Sequence, residues 1–507
     1  MTLVSLYFLI FLAVFTLVYY LLPGRLQWMW LLAAGLVFYA LCSYGLVLVP
    51  AADALIAFCF GKYFETKKKK WMMVLELVLI IGILFVFKYA GWLGTGWTGL
   101  LTGFSFGRAE TWLVPLGISY FSIMAISYSV DVFRGVSAAE KNFAKLLLYL
   151  SFFPVMTQGP ICRYEEMRRQ LTTYHKFRYE NLTSGIQRMI WGFFKKLVLS
   201  GRFFVVAGTL TEGWGKSGYT GAWVLLSVVT FSFTLYMDFS GCMDIVIGTG
   251  EILGIRIPEN FQHSYMSTTI PEFWRRWHIT LGTWLRDYVM YSFTMSRPAK
   301  WFTKKTKNSI GRKNAATIIT CIGICLVWLV YALWHDISAV FLLSGAFFAF
   351  IIILSTVFDP LVKRFRKRFP KAVESLPYRF FMWVRTLFLS MMGAYFVFMP
   401  AVKDGAAYFF RLFGPTAGSF LQTQTDAEGV RQVLLLGLDV PDFIVLVLSF
   451  ILWIVVSRLD AKKDPRDRLA KMPLPVRWII LLALILAVVL FGQYGGLDTN
   501  SFVYQAF

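Results

Sequence analysis

PEFWRRWHITLGTWLRDYVMY, from Pro271 to Tyr291, sets Glu272, Arg275, Arg276, His278, Arg286 and Asp287 among three tryptophans and two tyrosines. The chain around it is greasy. Of its 507 residues, 58% are hydrophobic and only 15% charged, and the mean hydropathy is +0.62. Soluble domains carry roughly 25% charged residues, so the solvent this sequence is written for is a bilayer. An ionisable cluster in such a chain is costly, which makes it a candidate for function.

A spanning helix needs about 20 apolar residues. Apolar runs of that kind lie at 2–22, 27–49, 71–88, 111–131, 143–158, 184–200, 221–248, 315–335, 338–358, 378–400, 441–457 and 477–493. Shorter pieces near 51–62 and 284–296 read as short spans or re-entrant segments. The fold class expected is an all-α polytopic bundle of about 11–13 transmembrane helices, with re-entrant or amphipathic helices among them. The first run, MTLVSLYFLIFLAVFTLVYYLLPG, lacks a basic n-region and a small-residue cleavage site, so it reads as a retained span.

The net charge of +22 does not point to nucleic acid. Lys and Arg gather in loops between apolar runs, at 67–70, 304–313, 363–371 and 458–471. That is the positive-inside pattern, which places those loops in the cytoplasm and both chain ends outside. Six cysteines form no CxxC pair and no Cys/His cluster, and Cys321 and Cys325 read as small buried residues. No inverted repeat of a transporter type is visible. The stretch 159–183 is polar and reads as cytoplasmic or interfacial, and GTGEILG at 248–254 lacks the preceding strand of a nucleotide fingerprint.

Drawn as one helix, 271–291 places Glu272, Arg276, Thr280, Thr283 and Asp287 on a single polar stripe. Glu272 and Arg276 are spaced to pair at i,i+4, and Pro271 suits a first turn. Four histidines exist. His175 and His263 lie in polar surroundings, His278 sits in the cluster, and His335 ends the apolar run LVWLVYALWHDISAVFLLSGAFF. A lone histidine in a bundle commonly serves as a hydrogen-bonded structural residue. It can also take a proton from a hydroxyl near neutral pH. There is no GxSxG elbow, DFSG at Asp238–Gly241 is not one, and no HExxH or carboxylate metal cluster occurs. The chemistry left is direct transfer of an acyl group between two bound partners.

Four blocks then make the chain resemble the membrane-bound O-acyltransferase (MBOAT) family, and within it the bacterial alginate O-acetylation branch. They are VPLGISYFSIMAISYSVDVFRG at 114–135, FFPVMTQGPICRYEEM at 152–167, YMDFSGCMDIVIGTGEILGIRIPENF at 236–261 and PEFWRRWHITLGTWLRDYVM at 271–290. A fifth, weaker block is ALWHDISAVFLLSGA at 332–346. The resemblance implies a single membrane domain over 1–507, its helices set around a central tunnel: N-terminal helices to 110, a catalytic core at 111–358, C-terminal helices at 359–493 and an extracytoplasmic tail at 494–507.

It also implies roles. His335, in a WH motif, would be the general base. Members of the family continue with Gly-Ala or Gly-Thr, where this chain has Asp336 and Ile337. His278 would help orient the acyl donor or line the tunnel through the bundle. Trp274, Arg276, Trp277, Trp284, Arg286, Asp287, Asp238 and Trp334 would line the tunnel. The tail NSFVYQAF resembles an FxYFxF motif of this branch through Phe502, Tyr504 and Phe507, with Gln505 departing from it, and would make Tyr504 an acyl relay. A phenol needs a base such as His335 to act so.

The implied co-substrate is an acyl thioester, acetyl-CoA or an acyl-carrier protein, with no tightly bound cofactor and no metal. The implied partners are the lipid bilayer, a polysaccharide acceptor and an extracytoplasmic acyltransferase of SGNH type. D-alanyl transfer to teichoic acid is a neighbouring reading, and a transporter or flippase a more distant one.

Overall fold

Several described helices begin where local chemistry favours it. Ser5 caps Leu6–Leu21 by accepting from Phe8 N–H, and Pro23 then separates that helix from Gly24–Cys42. Ser375 and Asp439 cap Leu376–Phe398 and Val440–Asp460, each with a proline in the first turn. Gly117 precedes Ile118–Arg134 at φ 76°, where a Cβ would lie 2.2 Å from the Met156 carbonyl oxygen. Only glycine meets both demands.

The computed structural model describes residues 3–43, 46–96, 114–212, 218–425 and 431–494. Among them the chain is almost wholly helical, with one antiparallel hairpin pairing Leu421–Thr425 with Arg431–Leu435. Eight described helices are long and apolar enough to cross a membrane: Gly24–Cys42, Lys70–Tyr89, Ala222–Ile252, Arg312–His335, Ala339–Arg368, Leu376–Phe398, Val440–Asp460 and Leu474–Phe491. Leu6–Leu21 is apolar and slightly shorter. The chain is a multi-pass membrane protein of the all-α class. Its outward apolar surface fits that solvent, because lipid removes the penalty that water sets on exposed Leu, Ile, Val and Phe.

Several expected runs depart from simple spans. The run at 143–158 is helical only over Phe143–Leu150, since Pro154, Gly159 and Pro160 carry the chain into turns. The piece near 51–62 lies inside a continuous helix, Leu48–Thr66, whose buried Asp53 accepts a 2.6 Å hydrogen bond from Ser122. Tyr179–Phe193 continues into a π-helical stretch, Phe194–Ser200.

Two units share the chain: Met1–Met189 with Met243–Pro258, and Ile190–Cys242 with Glu259–Phe507. In the first, Arg188 reaches Asp244 at 3.1 Å and Glu251 at 3.2 Å, so three costly charges satisfy one another. The second holds a core of Phe, Leu, Trp and Tyr side chains around Phe194–Leu210, Phe231–Met237 and Phe273–Trp277.

Candidate active site

The opening stretch is two helices, not one. Thr269 caps Ile270–Arg276, accepting from Glu272 N–H at 3.2 Å. Glu272 in turn takes the Thr268 N–H at 2.9 Å and pairs with Arg276 at 2.8 Å, so the expected i,i+4 pair is present. The chain then straightens at Trp277, where Gln262 N–H donates to the Arg276 carbonyl and Phe261 bridges Trp277. His278 adopts φ 47° and ψ 50°, and Ile279–Leu285 starts from it. Its last turns continue as a π-helical stretch, Arg286–Met290. The polar stripe drawn on one straight helix is therefore interrupted, because a left-handed residue resets the direction of the chain. Such a conformation costs a non-glycine residue about 1–2 kcal/mol, and it is a feature to explain.

Asn260 supplies the explanation. Its side-chain oxygen receives the Thr280 N–H at 3.1 Å and the Thr280 hydroxyl at 2.9 Å, and lies 3.3 Å from His278 Nδ1. The Asn260 carbonyl receives Ile279 N–H at 3.0 Å. An amide oxygen only accepts, so Nδ1 carries the proton and Nε2 is left with its lone pair. That Nε2 is buried and has no hydrogen-bond partner among the described residues. Burial pushes the His278 imidazole down to about 3, so it is neutral at ordinary pH. The residue is 1% exposed.

His335 ends the helix Arg312–His335 and is 6% exposed. Its ring lies 4.6 Å from Tyr331, 4.7 Å from Trp334, 5.3 Å from Phe341 and 6.4 Å from the His278 ring, centroid to centroid. Phe239 closes on His278 edge-on at 4.8 Å. Trp274 packs on Trp328 at 4.7 Å, on Phe348 at 4.8 Å and on Tyr331 at 5.6 Å. Its indole N–H is a second buried group without a partner among the described residues. One aromatic cluster thus holds an unpartnered donor, Trp274 Nε1–H, and an unpartnered acceptor, His278 Nε2. Each unmade hydrogen bond costs roughly 1–3 kcal/mol, and a substrate with a carbonyl and a hydroxyl is chemically suited to make both.

Other residues expected at the tunnel fall into different surroundings. Trp334 joins the histidines, its ring 6.1 Å from His278. Trp277 packs with Phe273, Phe261, Tyr236 and Tyr265. Asp238 is buried in an ion pair with Lys196, beside Phe239. Arg276 is engaged by Glu272, Arg286 pairs with Asp287 at the surface, and Trp284 packs on Tyr288 at 5.2 Å. Tyr504, with Phe502 and Phe507, lies outside the described residues. His175 Nε2 lies 2.8 Å from the Gln170 carbonyl oxygen, and His263 Nε2 lies 3.2 Å from Asp460.

Sequence reasoning did not single out Asn260, Phe239, Tyr331 or Lys196. Asn260 and Phe239 fall inside the quoted block 236–261, but their contacts with His278 depend on folding. Among the described residues no group of three or more His, Cys, Asp or Glu side chains is placed to hold a metal ion.

Comparison with known proteins adds the following. Residues 112–304 match the model of the MBOAT, membrane-bound O-acyltransferase family. The chain is 30% identical over 344 residues to the protein named "Probable alginate O-acetylase AlgI" of Azotobacter vinelandii, covering 66% of this chain and 65% of that one. The protein of the same name from Pseudomonas putida is 30% identical over 345 residues, 66% of this chain and 67% of its own. The peptidoglycan O-acetyltransferase of Helicobacter pylori is 25% identical over 383 residues, 69% of this chain and 68% of its own. The match to the Azotobacter protein thus spans slightly less than two thirds of that relative's length.

Proposed function

Because the chain belongs to the membrane-bound O-acyltransferase family, we propose that it transfers an acyl group, acetyl above all, to a hydroxyl destined for an envelope or secreted polysaccharide. The observation that carries this reading is the buried pair His278–His335 in an aromatic cluster where His278 Nε2 and Trp274 Nε1 have no hydrogen-bond partner among the described residues. His335 takes the proton of the acceptor hydroxyl as its oxygen attacks the thioester carbonyl carbon. The carbon–sulfur bond then breaks, and the imidazolium returns the proton to the leaving thiolate. His278 is too weak a base for that step, so its Nε2 serves as a fixed acceptor, and Trp274 N–H is available to the polarised carbonyl oxygen. Aromatic walls exclude water and thereby disfavour hydrolysis.

In this reading the donor is acetyl-CoA or an acyl-carrier protein, arriving from the cytoplasm. The chain sits in the cytoplasmic membrane with its basic loops inside and both ends outside. Tyr504 in the tail accepts the acyl group and hands it to an extracytoplasmic partner of SGNH type. The names of the relatives support the polysaccharide acceptor.

The test is compositional. Acetyl and D-alanyl esters on envelope polysaccharide are measured with the protein, without it, and with His335→Ala. Loss of acetyl esters in both depleted states is expected. Loss of D-alanyl esters alone would transfer the reading to D-alanylation, and no change in either would overturn it.

A further inference from the structure

Glu140 anchors a second polar site, in the unit formed by Met1–Met189 and Met243–Pro258. Its Oε1 accepts the backbone N–H groups of Lys141 at 2.8 Å and Asn142 at 2.9 Å, and its Oε2 accepts the Tyr164 hydroxyl. Burial works to raise this carboxyl. The Tyr164 bond, the two amides and the Lys145 charge outweigh it and hold the group below the usual carboxylate range. The anion is thus committed to its own donors. Around it opens a pocket of about 140 Å³, lined also by Lys145, Arg168, Arg169 and Thr172. At roughly 30 Å³ per water, that volume admits a group of several heavy atoms.

The cations are less fully committed than the carboxylate. Arg168 pairs through Nη2 with Glu165 at 2.8 Å, yet its Nε is buried and has no hydrogen-bond partner among the described residues. Arg169 is exposed and shares the field of Glu165 with Arg168. Lys145 lies over the Trp28 ring at 5.9 Å. A buried guanidinium N–H without an acceptor is costly, and a tetrahedral oxyanion fits the fork that Arg offers better than a point acceptor does.

The surroundings say which oxyanion. Val136, Tyr174, Phe177 and Tyr179 are exposed on the adjoining segments. Lys68 stands beside Gly135, and Ser137 donates to Glu165. Lysines and arginines interleaved with exposed aromatics mark headgroup depth in a membrane protein.

We propose that Lys145, Arg168 and Arg169 bind the phosphate of an anionic phospholipid headgroup. Phosphoryl oxygens meet the guanidinium groups of Arg168 and Arg169, and Lys145 neutralises the remaining charge. The site is separate in sequence and chemistry from the histidine pair, and its occupancy does not depend on the acyl-transfer reading.

Native mass spectrometry of the purified full-length chain, released from detergent with added phosphatidylglycerol or phosphatidylcholine, tests this. Wild type is expected to retain phosphatidylglycerol by about 30-fold or more over phosphatidylcholine, the scale that two or three basic groups at a membrane surface supply. The double variant K145Q/R169Q should lose that preference, and Arg169→Lys should keep most of it. Equal retention of the two lipids by wild type overturns the proposal, and this arm needs no variant to fold. So does a monodisperse double variant that retains phosphatidylglycerol as wild type does. Displacement of the lipid by millimolar inorganic phosphate would assign the pocket to a soluble phosphate and overturn the lipid.

Discussion

His278 and His335 present their rings to one another at 6.4 Å between centroids and 60° between planes. The two imidazoles reach this arrangement from unlike positions, one at a left-handed break between short helices and one at the end of a 24-residue helix. They are also chemically unlike. Asn260 fixes the proton of His278 on Nδ1, and burial keeps that ring neutral. In the proposed mechanism the two therefore divide the labour, with His335 moving the proton and His278 holding a partner in place.

His335→Ala should therefore lower acyl transfer by about 10²–10⁴-fold, the usual contribution of a general base. The measurement is ester formation by purified protein in vesicles, alongside thermal unfolding in detergent. Unfolding should change little compared with the rate. Full activity in a folded His335→Ala protein would remove the histidine from the mechanism.

The neutral His278 predicts how stability responds to acid. Its folded pKa, about 3, lies below the ordinary 6.5, so the unfolded chain binds more protons between those values. Stability contributed this way is complete above pH 6.5 and falls as pH drops toward 3, by about 1.4 kcal/mol per unit at most. His278→Asn should flatten the pH dependence of the unfolding midpoint in that window. Unchanged slopes in wild type and variant would show that the imidazole is not held neutral by burial.

Much of this architecture could be read in the residues, for physical reasons that also set the limit. Apolar runs near bilayer length announce helices such as Arg312–His335 and Val440–Asp460, because lipid demands internally bonded backbone. The Glu272–Arg276 pair followed from helical spacing and is present at 2.8 Å. The break at His278 did not follow, since a non-glycine φ of 47° is imposed by Asn260, 18 positions away. Nor could spacing say that Asp238 turns to Lys196 while its neighbour Phe239 meets His278, because Lys196 lies in a π-helical stretch whose register departs from 3.6 residues per turn.

That ion pair carries its own prediction. Asp238 is buried and the Lys196 side chain is only 8% exposed, so removing one leaves the other without this ion-pair partner. Lys196→Met alone should destabilise the protein by about 3–5 kcal/mol, and Lys196→Met with Asp238→Asn should recover much of the loss. Unfolding midpoints of the single and double variants decide it. A double variant no better than the sum of the singles would mean that the pair is not coupled.

Gly393 tests whether the aromatic wall sets the geometry of the histidines. It lies on Leu376–Phe398 against Phe348, and a Cβ at this position would stand 2.0 Å from the Phe348 ring. Phe348 is itself stacked on Trp328 at 5.1 Å and set edge-on to Trp274 at 4.8 Å, and Ser344 fixes the approach by donating to the Gly393 carbonyl at 3.0 Å. In so dense a core the ring has nowhere to go except toward the tryptophans. Gly393→Ala should cost about 1–3 kcal/mol in stability through overpacking and lower the transfer rate as Trp274 moves. Adding Phe348→Leu, which removes the clash, should restore both. Recovery of stability without recovery of rate would locate the requirement in the Phe348 ring itself, while a Gly393→Ala protein as stable and active as wild type would show that the wall yields without moving Trp274.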